Sequence, residues 1–429
     1  MKDFIRLAEK GLIVISLMYF TASLNFLGGL PSNDADPQAA TDAMQSASPI
    51  LLLLQLGVLA LTFLLICTQW QRFIYVASKR KFLWAVVGLV IASVLWTTVP
   101  DLTSRRSIIF LATTCFGFYL AARYPLKEQM RLLALALGIA IVLNFIYTLA
   151  FPAFAIEGGE HQGSWRGIYP QKNVLGRLMV MSALNFLFLA FDSRSYRYLM
   201  WIGFFCSIIL LILSNSKTAL VIFLLLIILV PLYRALRWNY SFVIPFFTIF
   251  LLVSGIITIL LVGNADTILT ALGRDVTLTG RTGIWAVVIN KIGKHPWLGY
   301  GYLGFWRGLE GDSADIWYET YFLSPNAHNG FLDLALDLGL IGVGLFFLSF
   351  FKSCWRSLVW LRLNRDIEGV VPIIYLTYLF LYNITESTLI TPPNTIFWPL
   401  YTAITTSILI QPIQLVKNQS SISNLSTNN

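Results

Sequence analysis

Histidine is scarce in this chain, and its three copies, His161, His295 and His328, all fall in polar stretches between apolar runs. An imidazole so placed can take a proton from a weak nucleophile at neutral pH. His328 stands out, because it lies in Ser324-Pro325-Asn326-Ala327-His328-Asn329, directly before an apolar run that starts at 330. A capping or interfacial role is the plainer alternative. Neither H-E-x-x-H nor any other metal-ligand spacing joins the three histidines, which speaks against a zinc enzyme. Cys67, Cys115, Cys206 and Cys354 lack C-x-x-C spacing and predict buried thiols, not a disulfide framework.

Basic residues form the second group. Arg166 and Lys172, then Lys217, then Arg281 stand in polar stretches between apolar runs. Two apparent motifs dissolve on inspection. Gly299-x-Gly301-x-x-Gly304 matches a dinucleotide fingerprint, but no strand precedes it, so it predicts a tight turn among Tyr300, Tyr302, Phe305 and Trp306. Asp34-Ala35-Asp36 imitates a metal-nucleotide pair in an acidic stretch and reads as solvated.

The elements that must position these residues are membrane helices. Of 429 residues 57 % are hydrophobic and 12 % charged, against about 25 % charged in water-soluble domains. Apolar runs long enough to cross roughly 30 Å of hydrocarbon recur along the chain. They predict an all-α polytopic membrane protein of about twelve spans, at roughly 11–30, 49–67, 82–100, 107–123, 131–151, 174–192, 198–214, 218–236, 242–262, 330–351, 369–388 and 394–412. The first reads as a retained helix, not a cleaved signal, since no small-x-small site follows it. Residues 1–412 form one membrane domain and 413–429, rich in Ser and Asn, a flexible tail. The formal charge of +9 is scattered through short loops and offers no stripe for nucleic acid. With the N-terminus inside, 19 of the 30 Lys and Arg residues fall on the cytoplasmic side, which predicts N-in and C-in.

That topology puts Arg105, Arg106, Arg166, Lys172, Lys217, Arg274, Arg281, Lys291, Lys294 and Arg307 outside, against the positive-inside bias. An anionic ligand on the outer face explains them; salt bridges to Asp101, Glu157, Glu160, Glu310 and Asp312 explain them equally well. The periplasmic loop 263–329 is patterned: Ile284, Trp285, Val287, Val288 and Ile292 recur at helical spacing and predict a short amphipathic helix.

Four segments carry a resemblance. Arg166-Gly-Ile-Tyr-Pro-Gln-Lys-Asn173-Val-Leu-Gly176, Ser214-Asn-Ser-Lys217-Thr-Ala-Leu220, Gly280-Arg281-Thr-Gly-Ile-Trp285 and His328-Asn329 with Gly339-x-x-Gly342 resemble the successive signatures of the O-antigen ligase and polymerase superfamily, over about 90–345. The combination is similar to bacterial exopolysaccharide polymerases, except that Gln171 stands where such polymerases usually have His.

The resemblance implies a membrane glycosyltransferase that moves a glycan from a polyprenyl-diphosphate carrier to an acceptor hydroxyl on the outer face of the inner membrane. It implies no cofactor and no metal. His328, Arg281 and Arg166 become the catalytic candidates, and Lys172, Asn173, Lys217, Asn329 and Tyr300 the substrate-binding ones. Asp333 or Asp337, at i,i+4, is placed to orient the histidine or balance an arginine; structural pairing at a helix end is the alternative. Tyr300, Trp306, Trp317 and Tyr318 either stack on sugars or form an ordinary aromatic belt. The implied partners are the lipid-linked donor, a glycan acceptor, the bilayer and other polysaccharide assembly or export proteins. An O-antigen ligase, a lipid-linked glycan transporter and an export scaffold remain as alternatives; a transporter would show internal repeats and midplane charges, whereas here the unusual polar groups gather on one face.

Overall fold

The computed structural model describes residues 2–29, 48–192, 195–238, 241–242, 281–320, 324–390 and 395–410. Among them the chain is almost wholly helical, its β content being one isolated antiparallel bridge between Ile156 and Trp165. The helices are α1 (Lys2–Phe20), α2 (Pro49–Thr68), α3 (Trp70–Ser78), α4 (Lys81–Ala92), α5 (Pro100–Arg123), α6 (Leu126–Ala150), α7 (Lys172–Asp192), α8 (Arg197–Leu213), α9 (Lys217–Ala235), α10 (Arg281–Lys294), α11 (Ser313–Thr320), α12 (Gly330–Leu363), α13 (Val371–Thr385) and α14 (Phe397–Ile410). By length and composition α2, α6, α7, α9, α12 and α13, with the turn leading into it, can each cross a bilayer. The expected span at 242–262 lies, beyond residue 242, outside the described residues, as does the expected tail at 413–429.

Boundaries shift where polar residues join a helix. The first helix runs from Lys2 to Phe20 instead of from about 11 to 30, its basic prelude being itself helical: Glu9 takes both Nε and Nη2 of Arg123, at 2.7 and 2.9 Å, and Lys10 pairs with Glu128 at 2.5 Å. The expected loop at 101–106 is the first turn and a half of α5, which Pro100 opens at its first position with Asp101 in the first turn. Apolar run length marks the part of a helix that faces hydrocarbon; backbone hydrogen bonding carries the helix further.

α7 is the most enclosed span, whereas α2 and α9 present exposed leucines and isoleucines along most of their length, as lipid-facing helices do. Behind α10 and α11 a small second core forms from Ile284, Val288, Tyr300, Phe305, Ile316, Trp317, Ala327 and Leu336. The expected amphipathic helix is therefore α10, with Ile284 and Val288 on its buried face.

α12 is broken at Gly339, where φ is 64° and ψ is −170°. The turn at 296–301 fills the gap. Tyr300 N and Gly301 N donate to Leu336 O and Asp337 O at 2.7 and 2.9 Å, and Leu340 N and Ile341 N donate to Pro296 O and Trp297 O at 2.8 and 3.3 Å. Four of the polar groups freed by the break are thus satisfied by one loop, as an irregular backbone at membrane depth requires. A Cβ on Gly339 would lie 2.2 Å from Trp297 C and O, and one on Gly299 would lie 2.3 Å from Leu336 O. The glycine run at 299–304 is a packing turn fitted to that break.

Candidate functional site

Asn329 caps α12: its Oδ1 accepts from Phe331 N and Leu332 N at 3.0 and 3.2 Å, and its Nδ2 donates to Ile384 O at 3.2 Å. The cap fixes the residue before it. His328 takes a left-handed φ of 48°, unusual for a side chain with a Cβ, and its N–H donates to Asn326 Oδ1 at 2.9 Å. Ala327 N donates to Asp333 Oδ1 at 3.1 Å, so the histidine is held on both sides by bonds to its own loop and helix. Strain maintained by so many surrounding bonds is characteristic of functional positions.

The ring faces Glu386. His328 Nδ1 lies 3.5 Å from Glu386 Oε2, at ion-pair distance but without hydrogen-bond geometry, and has no other partner. Glu386 follows α13 directly and gathers three of the four signature segments. Its Oε1 accepts from Arg281 Nη2 and from Asn173 Nδ2, each at 3.3 Å, while Asn173 Oδ1 accepts from Ser216 Oγ at 2.9 Å. Arg281 Nη1 also donates to Thr385 O. Burial pushes the Glu386 carboxyl up, but the contact with His328 and the charges of His328, Arg281 and Arg177 outweigh it and hold the group below its ordinary value. It stays an anion at neutral pH, and so can orient the imidazole and stabilise it when protonated.

The carboxylate expected to face the ring was Asp333 or Asp337. Asp333 instead accepts from Ala327 N, Trp306 Nε1 at 2.8 Å and Ser387 Oγ, tying the His328 loop to the Glu386 loop. Asp337 is buried at the break in α12. Glu386 was missed because the expected span at 369–388 enclosed it; the polar run Asn383-Ile-Thr-Glu-Ser-Thr388 was the available signal. Arg177, which acts on Glu386 and packs over the Phe397 ring at 5.9 Å, was missed as well, for it sits within an apolar helix.

Of the remaining candidates, Lys172 and Lys217 are chain neighbours of Asn173 and Ser216 in this cluster, whereas Arg166 and Tyr300 make their contacts elsewhere. Lys172 opens α7, its N–H on Glu157 Oε1 at 2.6 Å, and exposed Lys217 opens α9 next to Ser216. Arg166 is 5 % exposed, with Nε on Phe154 O at 2.7 Å and Nη1 on Pro170 O at 3.4 Å. Tyr300 belongs to the second core: its ring meets His295 and Phe305 edge to face, and its hydroxyl donates to Lys291 O at 3.0 Å. Trp317 is buried there too, whereas Tyr318 is exposed.

Residues 202–347 match the model of the O-antigen ligase family. The exopolysaccharide production protein ExoQ of Rhizobium meliloti is 26 % identical over 73 % of this chain and 74 % of its own. The general O-oligosaccharyltransferase of Acinetobacter baylyi is 23 % identical over 66 % of this chain and 52 % of its own length. A putative polysaccharide ligase of Rickettsia prowazekii is 39 % identical over 75 residues, 17 % of this chain.

Proposed function

We propose that this chain, which carries the O-antigen ligase domain and is a glycosyl-transferring membrane enzyme, joins polysaccharide repeat units delivered on a polyprenyl diphosphate. The observation that carries this reading is the convergence of Asn173, Arg281 and His328 on the one carboxylate of Glu386.

In the proposed reaction the acceptor hydroxyl attacks the anomeric carbon of the donor sugar. His328 takes the hydroxyl proton through the ring nitrogen not facing Glu386, the bond from that carbon to the phosphate oxygen breaks, and the lipid diphosphate leaves with the electron pair. General-base help of this kind is worth about 10²–10⁴-fold. Arg281 meets the leaving charge by giving up part of its hold on Glu386, and Lys172 and Lys217, each at the first turn of a helix, add cationic and N-terminal dipole stabilisation without a metal. Arg166 holds the 152–171 loop that delivers Lys172 and Asn173, Asn329 fixes the histidine, and Tyr300 supports the wall behind the site through Lys291. Twelve spans, N-in and C-in, put the cluster on the outer face of the inner membrane, where a carrier can keep its tail among the helices and its diphosphate at headgroup level.

Similarity to an exopolysaccharide production protein over about three quarters of both chains supports a role in making exopolysaccharide, and the resemblance of the signature segments to exopolysaccharide polymerases is the reason for proposing polymerisation over ligation. The lipid-linked intermediates of a strain lacking the protein test this. Single repeat units accumulating on carrier fit a polymerase; finished polymer accumulating on carrier means a ligase.

A further inference from the structure

Far along α12 from His328, a second polar cluster has a charge with no counter-charge among the described residues. Arg80, the residue preceding α4, is 5 % exposed. Its Nη2 donates to Ser353 Oγ at 3.2 Å and Thr405 Oγ1 at 2.8 Å. Both hydroxyls give their own protons to the carbonyls one turn back, Ser349 O at 2.8 Å and Tyr401 O at 2.6 Å, so toward Arg80 they are neutral acceptors. Its Nε is buried without a partner, as is the indole Nε1 of Trp360, seven residues on from Ser353 and hence on the same face of α12. Both orphan atoms are donors.

No ion pair among the described residues includes Arg80. Its other polar neighbour is the Tyr401 hydroxyl, which is neutral at physiological pH, and the charged side chain whose field reaches it is Arg356, a second cation. Residues 411–429, which follow the helix bearing Thr405, contain no Asp or Glu. A buried cation without a counter-charge is costly, and dipoles alone offset it poorly.

We infer that a small anion is bound beside Arg80, whose guanidinium is buried without a counter-charge among the described residues. The anion ties α4 to α12 and α14 across the end of the bundle opposite the transfer site. Its negative charge comes either from a free ion such as chloride or from the phosphodiester of a bilayer lipid, and the two sources separate experimentally.

The full-length protein is placed in phosphatidylcholine nanodiscs, and its thermal midpoint is followed as sodium chloride replaces sodium gluconate at fixed ionic strength. The expected result is a saturable rise in midpoint that Arg80→Gln abolishes. Arg356→Gln should move half-saturation to roughly tenfold more chloride, the effect of removing one neighbouring charge. A gain seen in gluconate when phosphatidylglycerol discs replace phosphatidylcholine, and lost with Arg80→Gln, assigns the charge to lipid phosphodiester. If Arg80→Gln does not fold, Thr405→Val, which frees the guanidinium from its anchor, serves as the second variant and should shift the same curve. A midpoint indifferent to both anions in the native protein, or a dependence unchanged in Arg80→Gln and Thr405→Val, overturns the inference and leaves water in the place of the anion.

Discussion

Glu386 touches His328 and Arg281 together, so it can serve the base or the phosphate clamp, and kinetics separate the two roles. Glu386→Gln keeps the shape and removes the charge. If it orients and stabilises the imidazole, kcat should fall by about 10²–10⁴-fold while the KM for lipid-linked donor changes little. A loss confined to donor KM would assign it to Arg281 alone. Its lowered pKa has a second consequence, with a definite sign. A depressed carboxyl contributes stability that is fully present above the unfolded value, near 4.3, and is lost as pH falls through the folded value. The thermal-midpoint advantage of the native protein over Glu386→Gln should therefore shrink as pH falls below about 4.3; an advantage that persists undiminished to about pH 2 would contradict it. His328 could be found from sequence because it ends a polar stretch beside an apolar run. Its partner could not: residues 328 and 386 are joined by no spacing rule, and a lone acid at the end of an apolar run is absorbed by any count of span length. Tyr300 misled for the opposite reason, since an aromatic between glycines reads as available, yet apolar burial in a small second core claimed its ring.

At the scale of elements, the break in α12 at Gly339 locks the helix that Asn329 caps onto the 296–301 turn. Gly339→Ala drives a Cβ into the Trp297 backbone at a φ of 64°, whereas Gly344, in the same helix, has nothing within 4 Å of its Cβ position. The first substitution should cost roughly 2–4 kcal/mol, or prevent accumulation of folded protein, and the second should be neutral or stabilise by up to about 1 kcal/mol. Unfolding in detergent measures both; equal effects would mean that the break is incidental. The sequence shows Gly299-x-Gly301-x-x-Gly304 and Gly339-x-x-Gly342 plainly, and the first is legible as a turn because strand context is missing. That Gly299 and Gly339 make room for each other's segment is a tertiary fact: the four crossed hydrogen bonds join residues some forty positions apart. Helix ends were legible only to within the polar residues that extend them, as at Pro100, where the proline and the acid after it signal a start that hydropathy overlooks.

For the whole molecule, the account requires that the Glu386 cluster face the side to which lipid-linked glycan is presented, with the basic loops opposite. Single cysteines near 40, 160, 270 and 310 should react with an impermeant thiol reagent in intact cells, and those near 78, 196 and 360 only after permeabilisation; the reverse at 270 and 310 would remove the acceptor and donor from the site. The helical, multi-span character was the most legible feature, since long apolar runs suit a membrane and six described helices are long and apolar enough to cross one, while the side they face rests on charge bias alone. The chemistry is tested most directly in purified protein supplied with lipid-linked glycan. His328→Ala should abolish transfer while leaving membrane insertion and donor binding nearly intact, with His161→Ala and His295→Ala costing much less. Turnover of His328→Ala close to that of the native protein would contradict the account.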